Sequence, residues 1–344
     1  MTKGIVLEKP GVIAYREFRP EEYYKPTAEE EAFHGCNFVT KYYGDPGEGE
    51  IEVKALCGAF CTHEVSVYKG DLTYPTYPRI MGHEAVHVVT RVGKGVTHVK
   101  EGDFVSCCWY HGQWADRIIG PAKTAYLLPE KLDDPAHWII EPAASIVNAV
   151  SMMKILPGDR VLLIGVGFMG LMMVQLLSGY PMAEFTVADM KQDNLLLAKQ
   201  FGAFETIDIS TEEGRAALEA YEPGHFNVVI DCSGTQGGLD EAVRQCGDAG
   251  NIYLFGWHRK SRTIDLKVGH LRGQNILNTS PGADFGRAYE RHWATTIELF
   301  KRGKIDLRPL ITHRYTTEEV VRGMEESCIR GDGFIKSVIY LGEM

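Results

Sequence analysis

The chain reads Arg160-Val161-Leu162-Leu163-Ile164-Gly165-Val166-Gly167-Phe168-Met169-Gly170 near its middle, an apolar run that enters a G-x-G-x-x-G turn. Gly165 allows the tight turn, Gly167 lets backbone N–H groups approach a pyrophosphate, and Gly170 lets helix and strand pack closely. The helix-like stretch that starts at Phe168 and Met169 would point the positive end of its dipole at the anion. The stretch therefore predicts a dinucleotide-binding turn.

A single acidic residue indicates which dinucleotide is bound. The next apolar strand, Phe185 to Ala188, ends in Asp189, about 20 residues after the glycines, where an acid that binds the ribose is expected. A carboxylate accepts hydrogen bonds from the ribose hydroxyls and repels a 2′-phosphate. Met190 follows, so no arginine adjoins Asp189 to receive that phosphate, although Lys191 is close. The sequence therefore favours NAD over NADP.

Length and composition are those of an ordinary globular protein. The 344 residues are 44% hydrophobic and 24% charged, and the chain is long enough for two cores. The formal charge of −10 argues against nucleic acid or an anionic membrane as a partner, because both require a basic surface. No apolar leader follows Met1, and no apolar run approaches the length of a membrane span. We therefore expect a cytoplasmic protein.

The spacing of strand and helix signals divides the chain into two domains. The residues before the glycine turn read as short strands broken by glycine and proline, which indicates an irregular β domain. From Gly158 to about Asn275, apolar strands alternate with helical stretches, which predicts a doubly wound parallel sheet. The predicted strands are Gly4–Leu7, Glu50–Ala55, Val86–Val92, Phe104–Cys107 and Ala125–Leu128, then Val161–Ile164, Phe185–Ala188, Asn227–Asp231 and Asn251–Phe255.

The end of the chain has no core of its own. It reads as helices at Ala288–Arg302 and Thr317–Glu325 and a strand at Ile335–Tyr340, and we expect it to fold back onto the first domain. The predicted domains are residues 1–145 with 277–344, and residues 146–276. Residues 20–45, rich in glutamate and tyrosine, are interpreted as an insertion.

Three residues from distant parts of the chain could bind a metal ion together. Cys61, His83 and Glu141 offer a thiolate, an imidazole and a carboxylate, a reasonable three-ligand set for catalytic zinc that leaves the fourth position for water or substrate. The two anions also neutralise Zn²⁺ beside a neutral histidine. Read singly, each residue has a plain structural interpretation, as a core cysteine, a satisfied polar group or the exposed start of a helix.

Further motifs accompany these three residues, namely Gly82-His83-Glu84, Glu101-Gly102-Asp103 and Gly303-Lys304-Ile305-Asp306. With them the chain resembles the zinc-dependent medium-chain alcohol dehydrogenases over nearly its full length. The resemblance implies an α/β fold, with a GroES-like irregular β catalytic domain and a Rossmann cofactor domain. It also implies one catalytic zinc on Cys61, His83 and Glu141, with Glu84 beside the metal as a group behind the ligands or an alternating fourth ligand.

The same resemblance indicates the substrate class and the assembly. Glu141-Pro142 is similar to the third ligand of the polyol and sorbitol dehydrogenase branch, where ethanol-type enzymes have cysteine. We therefore expect hydride transfer between a secondary alcohol (a polyol, sugar or cyclitol) and its ketone, with His63, Gln113 and Asn148 as polar candidates for the pocket. Family members are usually dimers or tetramers, often joined through the edge of the cofactor sheet, which implies a homodimer or homotetramer.

Two departures from the family pattern concern the second zinc and the proton relay. Many members bind a structural zinc with four closely spaced cysteines, but only Cys107 and Cys108 occur in that region, and two adjacent cysteines cannot form a tetrahedral four-sulfur site. We therefore predict no structural zinc. His63 replaces the hydroxyl residue of the usual relay and Ser66 the usual downstream histidine, so Thr62, His63 and Ser66 all remain candidates for passing a proton to solvent.

The sequence also has features that are compatible with functions other than a zinc-dependent dehydrogenase. His83-Glu84-Ala85-Val86-His87 matches the H-E-x-x-H signature of zinc proteases, but that signature requires a helix, and the valine-rich run predicts a strand. His87 is then structural or a neighbour of the pocket. Two alternatives stay open: a zinc-free reductase similar to the quinone reductases, which typically uses NADPH, and a non-catalytic protein that senses NAD.

Overall fold

The computed structural model describes residues 2–19, 41–72, 76–109, 112–279 and 288–342. Contacts between Cα atoms divide the chain into two units, one of Met1–Ala144 with Ala283–Met344 and one of Ser145–Gly282. Within the described residues, no helix combines the length and the apolar character needed to cross a bilayer.

The first unit consists mainly of β-strands. The end of the chain completes its larger sheet, which has the strand order β15-β16-β3-β5-β6-β8 with β7 beside β3, while a smaller sheet joins β2, β1 and β4. The strands are β1 (Thr2–Lys9), β2 (Val12–Phe18), β3 (Glu50–Ala59), β4 (Arg79–Ile80), β5 (Ala85–Val92), β6 (Phe104–Cys107), β7 (Ile118–Pro121) and β8 (Ala125–Leu127), with β15 (Ile311–Thr316) and β16 (Lys336–Tyr340).

The second unit is a six-stranded parallel sheet with helices between its strands. The strand order is β11-β10-β9-β12-β13-β14, so the chain reverses direction across the sheet beside β9, which is the doubly wound pattern. The two central strands β9 and β12 are almost wholly buried, as strands of a parallel sheet usually are. The strands are β9 (Arg160–Ile164), β10 (Glu184–Asp189), β11 (Glu205–Asp208), β12 (Phe226–Asp231), β13 (Cys246–Leu254) and β14 (Asn275–Asn278).

Nine α-helices lie in the described part of the chain. They are α1 (Thr62–Lys69), α2 (Glu141–Met152), α3 (Phe168–Leu177), α4 (Gln192–Phe201), α5 (Glu212–Glu219), α6 (Gln236–Gln245), α7 (Leu266–Arg272), α8 (Ala288–Lys301) and α9 (Val320–Ile329). Helix α3 is apolar on every side and buried, as expected of a helix that packs against a sheet close to the glycine turn.

The main differences from the sequence expectations have local causes. Helix α1 was not expected, because it buries five consecutive residues, Glu64 to Tyr68, and so shows no amphipathic stripe. Strand β11 is short and polar, and β13 begins at Cys246 rather than Asn251. The helix expected at 317–325 begins as a 3₁₀ turn and continues as α9 to Ile329.

The interpretation of residues 20–45 as an insertion concerns mainly residues outside the described part. Residues 20–40 fall there. The described residues from 41 onward belong to the first unit, since Lys41 forms an isolated bridge with Ile119 and the buried Tyr42 packs edge-on against Phe18.

Candidate functional site

His83 lies in the turn before β5, where Glu64 of α1 fixes the direction of its ring. Nδ1 of His83 is 2.6 Å from Oε1 of Glu64, and both side chains are buried. Because this contact occupies Nδ1, a metal ion would bind the other ring nitrogen, Nε2. Nε2 lies 3.9 Å from Oε2 of Glu141, at the start of α2.

Two overlapping groups of possible metal donors share His83. The first is Cys61, Glu64 and His83, and the second is His83, Glu84 and Glu141; within each group, one donor atom from every residue lies within 4.8 Å of the others. Two donors bonded to one tetrahedral zinc are about 3.4 Å apart, so the 3.9 Å between His83 and Glu141 is close to what one ion needs. A set of sulfur, nitrogen and oxygen donors fits zinc.

The electrostatics of the group favour a cation. Burial by itself would raise the pKa of Glu64, but the imidazoles of His83 and His63 lower it below its ordinary value. Burial by itself would lower the pKa of His83, but Glu64, Cys61 and Glu141 together raise it well above its ordinary value. Burial, and then Glu84, raise the pKa of the Cys61 thiol. The raised pKa values of His83 and Cys61 each include a contribution from nearby acidic groups, whose negative charge a metal ion would neutralise.

Glu84 has a cationic partner from the far end of the chain. Nζ of Lys336, in β16, is 2.7 Å from Oε2 of Glu84, and both residues are buried. Because removing either member of a buried ion pair is costly, this contact holds the Glu84 carboxylate in place beside His83. No motif surrounds Lys336 in its strand, so this partner of Glu84 was not predicted.

The three relay candidates all lie in α1. The ring of His63 is perpendicular to that of His83, with centroids 5.4 Å apart, and burial lowers the pKa of His63. The Thr62 hydroxyl accepts a hydrogen bond of 2.8 Å from Nη2 of Arg330, and Ser66 is completely buried. The choice among the three stays a prediction.

His87 and Gln113 are both completely buried, and Gln113 contacts the turn that carries His83. His87 is in strand β5, so the helical geometry of an H-E-x-x-H protease is excluded. Burial lowers the pKa of His87 to about 4, which makes it a neutral structural residue at pH 7. Gln113, expected to line the pocket, is fully buried, and its Nε2 donates to the carbonyl oxygens of His83 (2.9 Å) and Trp109.

The three glycines of the cofactor turn differ in what surrounds them. Gly165 has φ +90°, and a Cβ there would lie 2.9 Å from the backbone nitrogen of Ser233. A Cβ at Gly170 would lie 2.2 Å from the carbonyl oxygen of Gly165. Gly167 has no atom within 4 Å of that position, so its backbone is open to an approaching ligand. Phe168 and Met169 open α3 directly after it.

Asp189 ends β10 and is bound to the glycine turn. Its Oδ2 accepts a hydrogen bond of 2.6 Å from the backbone N–H of Val166, and its Oδ1 accepts one of 2.8 Å from that of Lys191. The carboxylate therefore lies beside the turn, at the carboxyl end of the strands, where open α/β sheets bind ligands.

Comparison with known proteins decides the family. The sequence profile described as "Zinc-binding dehydrogenase" matches residues 168–302, and the one described as "Alcohol dehydrogenase GroES-like domain" matches residues 47–130. The chain belongs to the zinc-dependent medium-chain alcohol dehydrogenase family. The predicted family and the predicted α/β fold, with a GroES-like domain and a parallel-sheet cofactor domain, are confirmed.

Individual dehydrogenases match most of the chain. It is 24% identical to sorbitol dehydrogenase from Arabidopsis thaliana, over 86% of this chain and 89% of that protein. A zinc-binding dehydrogenase from Sinorhizobium meliloti 1021 bound to NADP has a TM-score of 0.79 at 21% identity, covering 99% of both chains. An alcohol dehydrogenase from Escherichia coli CFT073 complexed with NADH has a TM-score of 0.79 at 23% identity, covering 98% of this chain and 99% of that one. The two solved structures share the fold.

Proposed function

We propose that this dehydrogenase interconverts a secondary alcohol and its ketone, using one catalytic zinc and NAD. The observation that carries the proposal is the donor group around His83. Cys61 and Glu141 each belong to a donor group that includes His83, and Glu64 occupies the ring nitrogen that a metal would not use. Membership of the dehydrogenase family indicates the class of reaction. The donor atoms grouped around His83 are the reason to expect a zinc ion.

The side chains around His83 have separate tasks in this proposal. Cys61, His83 and Glu141 would hold the zinc, with Glu84 either as a group behind the ligands or as an alternating fourth ligand. Bound zinc would supply Lewis-acid chemistry, which lowers the pKa of a hydroxyl beside it. Glu64 would accept the Nδ1 proton of His83, so that a bound zinc ion would take the other ring nitrogen, Nε2. His63, with Thr62 and Ser66, is the proposed route by which the hydroxyl proton reaches solvent.

The glycine turn and Asp189 would hold the dinucleotide. Backbone N–H groups from Gly165 to Gly170, including those of Phe168 and Met169, would face the pyrophosphate. The Asp189 carboxylate would accept hydrogen bonds from the ribose hydroxyls. Because solved relatives include both an NADP-bound and an NADH-bound protein, the choice of NAD rests on the negative charge of Asp189.

The substrate class rests on the third ligand and on a relative. Glu141-Pro142 stands where ethanol-type enzymes have cysteine, and a sorbitol dehydrogenase matches most of the chain. We therefore favour a polyol, sugar or cyclitol, with a homodimer or homotetramer as the working assembly.

The test is a substrate panel read by the absorbance of NADH. Purified protein loaded with zinc is given NAD or NADP with acyclic polyols, cyclitols and simple secondary alcohols, before and after treatment with a chelator. We expect NAD-dependent turnover of polyols that disappears on chelation and returns with Zn²⁺. Turnover that survives complete metal removal would instead indicate a zinc-free reductase. Tight NAD binding without turnover of any alcohol would indicate a non-catalytic sensor.

A further inference from the structure

Two consecutive residues form hydrogen bonds along the backbone of the turn that carries His83. The backbone N–H of Gln113 donates to the carbonyl oxygen of Gly82 at 3.0 Å, and that of Trp114 donates to the carbonyl oxygen of Met81 at 3.0 Å. The carbonyl oxygen of Trp114 is held as well, because it accepts a hydrogen bond from the backbone N–H of Ile5 at 2.9 Å. The pair is therefore anchored to β1 on one side and to the turn on the other.

The side chains of the same pair reach the next two carbonyl groups. Nε2 of Gln113 donates to the carbonyl oxygen of His83 at 2.9 Å, and Nε1 of Trp114 donates to that of Glu84 at 3.3 Å. Four successive carbonyl groups, 81 to 84, thus accept hydrogen bonds from Gln113 and Trp114. Since a planar peptide leaves only two soft torsions per residue, fixing these carbonyl groups restricts the directions of the His83 and Glu84 side chains.

Packing leaves Trp114 no room to move. A Cβ at Gly82 would lie 2.1 Å from Cδ1 of the indole, and one at Gly58 would lie 2.1 Å from its Nε1. Phe60 contacts the indole edge-on, with ring centroids 5.2 Å apart. Glycine before the His83 ligand is required here partly because the indole occupies the space of its side chain.

A glutamine at position 113 is energetically unfavourable unless its amide group forms hydrogen bonds. It is fully buried, and burying an amide costs free energy that hydrogen bonds must offset. Its Nε2 contacts two carbonyl oxygens, those of His83 and Trp109, so an amide turned the other way would place oxygen against oxygen. A methionine would fill the same space without that cost, and would bind neither carbonyl group.

We propose that Gln113 and Trp114 are positioning residues for the metal site. They act through the backbone of His83 and Glu84, and they set the affinity of the site for its divalent ion. Neither side chain touches the ion or the substrate. The inference rests on the proposed function, because it presupposes that His83 binds the metal.

The test compares two buried glutamines. Gln113→Met removes the donor at the turn. The control is Gln245→Met in the other unit, because Gln245 is equally buried and donates to the carbonyl oxygen of Leu218 at 2.8 Å and to Oε1 of Glu241 at 2.9 Å. Full-length protein is stripped with a chelator, and Zn²⁺ and Co²⁺ are titrated back against a competing chelator, with the thiolate-to-cobalt absorption band recorded.

We expect Gln113→Met to bind both ions about 10-fold more weakly, as is typical when a group supporting a ligand is lost, and to shift the cobalt band. Gln245→Met should bind both ions as the wild type does, although both variants unfold at lower denaturant concentration. Trp114→Phe keeps most of the ring but not the Nε1 donor, and it should weaken binding in the same direction if Gln113→Met fails to fold.

Wild-type metal affinity in folded Gln113→Met and Trp114→Phe would overturn the inference, since the pair would then serve stability alone. Failure of the proposed function gives a different result, in which the wild-type protein itself does not bind Zn²⁺ or Co²⁺.

Discussion

The candidate site depends on a few atoms whose partners come from distant parts of the chain. The donor types of Cys61, His83 and Glu141, together with the family resemblance, predicted a zinc site at these residues, because sulfur, nitrogen and oxygen donors suit zinc. The partners that orient them were not predicted. Glu64 was hidden because α1 was not foreseen, and Lys336 was hidden because only the fold brings β16 to Glu84. Candidate ligands can be proposed from the sequence, but the contacts that support them require the tertiary structure.

The charge of Asp189 gives a prediction about cofactor choice. Asp189→Asn removes the negative charge and keeps a carbonyl that can accept one of the two backbone hydrogen bonds. Losing a repulsion of about 1–4 kcal/mol should raise the affinity for NADP relative to NAD by about 5-fold or more. The ratio of the two dissociation constants, measured by fluorescence titration, is the readout.

The matched control is Asp208→Asn, at the end of the neighbouring strand β11, whose carboxylate accepts from Ser210. This change should leave the NAD to NADP ratio as it is. An unchanged ratio in Asp189→Asn would remove the argument for NAD.

Strands and helices with a strong local signal were predicted well, and elements defined by their surroundings were not. The strands β9, β10 and β12 contain apolar, β-branched runs, and each was expected within a residue or two. Helix α3 was expected because it directly follows the glycine turn. The short polar edge strand β11 carries no such pattern. Edge position and burial are properties of the fold, which a local stretch of sequence does not contain.

Substitutions at two glycines of the cofactor turn should have separate effects, one on folding stability and the other on cofactor binding. Gly170→Ala places a methyl group against the Gly165 carbonyl and should lower the free energy of unfolding by about 1–3 kcal/mol. Gly167 has φ −66° and open space around it, so Gly167→Ala should change the stability by less than about 0.5 kcal/mol. Its methyl group should nevertheless lower the affinity for NAD. Urea unfolding and NAD titration measure the two effects, and a strongly destabilised Gly167→Ala would contradict this assignment of roles.

For the molecule as a whole, we expect the subunits of a homodimer or homotetramer to pair through one edge of the parallel sheet. Among the described strands, β14 forms the edge of the sheet opposite β11, and an edge strand offers unpaired backbone groups to a second chain. Leu277 of β14 is 40% exposed, and Leu266 and Leu271 of α7 are 65% and 74% exposed. These leucines are apolar surface of the kind that interfaces cover.

Leu277→Lys tests that assembly. We expect the wild-type protein to be a dimer or tetramer and the variant to shift toward monomer, because a buried lysine at the edge opposes pairing. Leu196→Lys, at a residue of α4 that is 54% exposed, is the control and should leave the mass unchanged. Molar mass by light scattering after gel filtration is the readout. An oligomer of unchanged mass in Leu277→Lys would rule out this edge.

The proposed zinc site can be tested by measuring the zinc content of two cysteine variants. Cys61→Ala removes a proposed ligand, whereas Cys57→Ala removes a buried cysteine of β3 that belongs to neither donor group. We predict about one zinc per chain in the wild type and in Cys57→Ala, and loss of both zinc and alcohol oxidation in folded Cys61→Ala. Full zinc content and full turnover in Cys61→Ala would contradict the account.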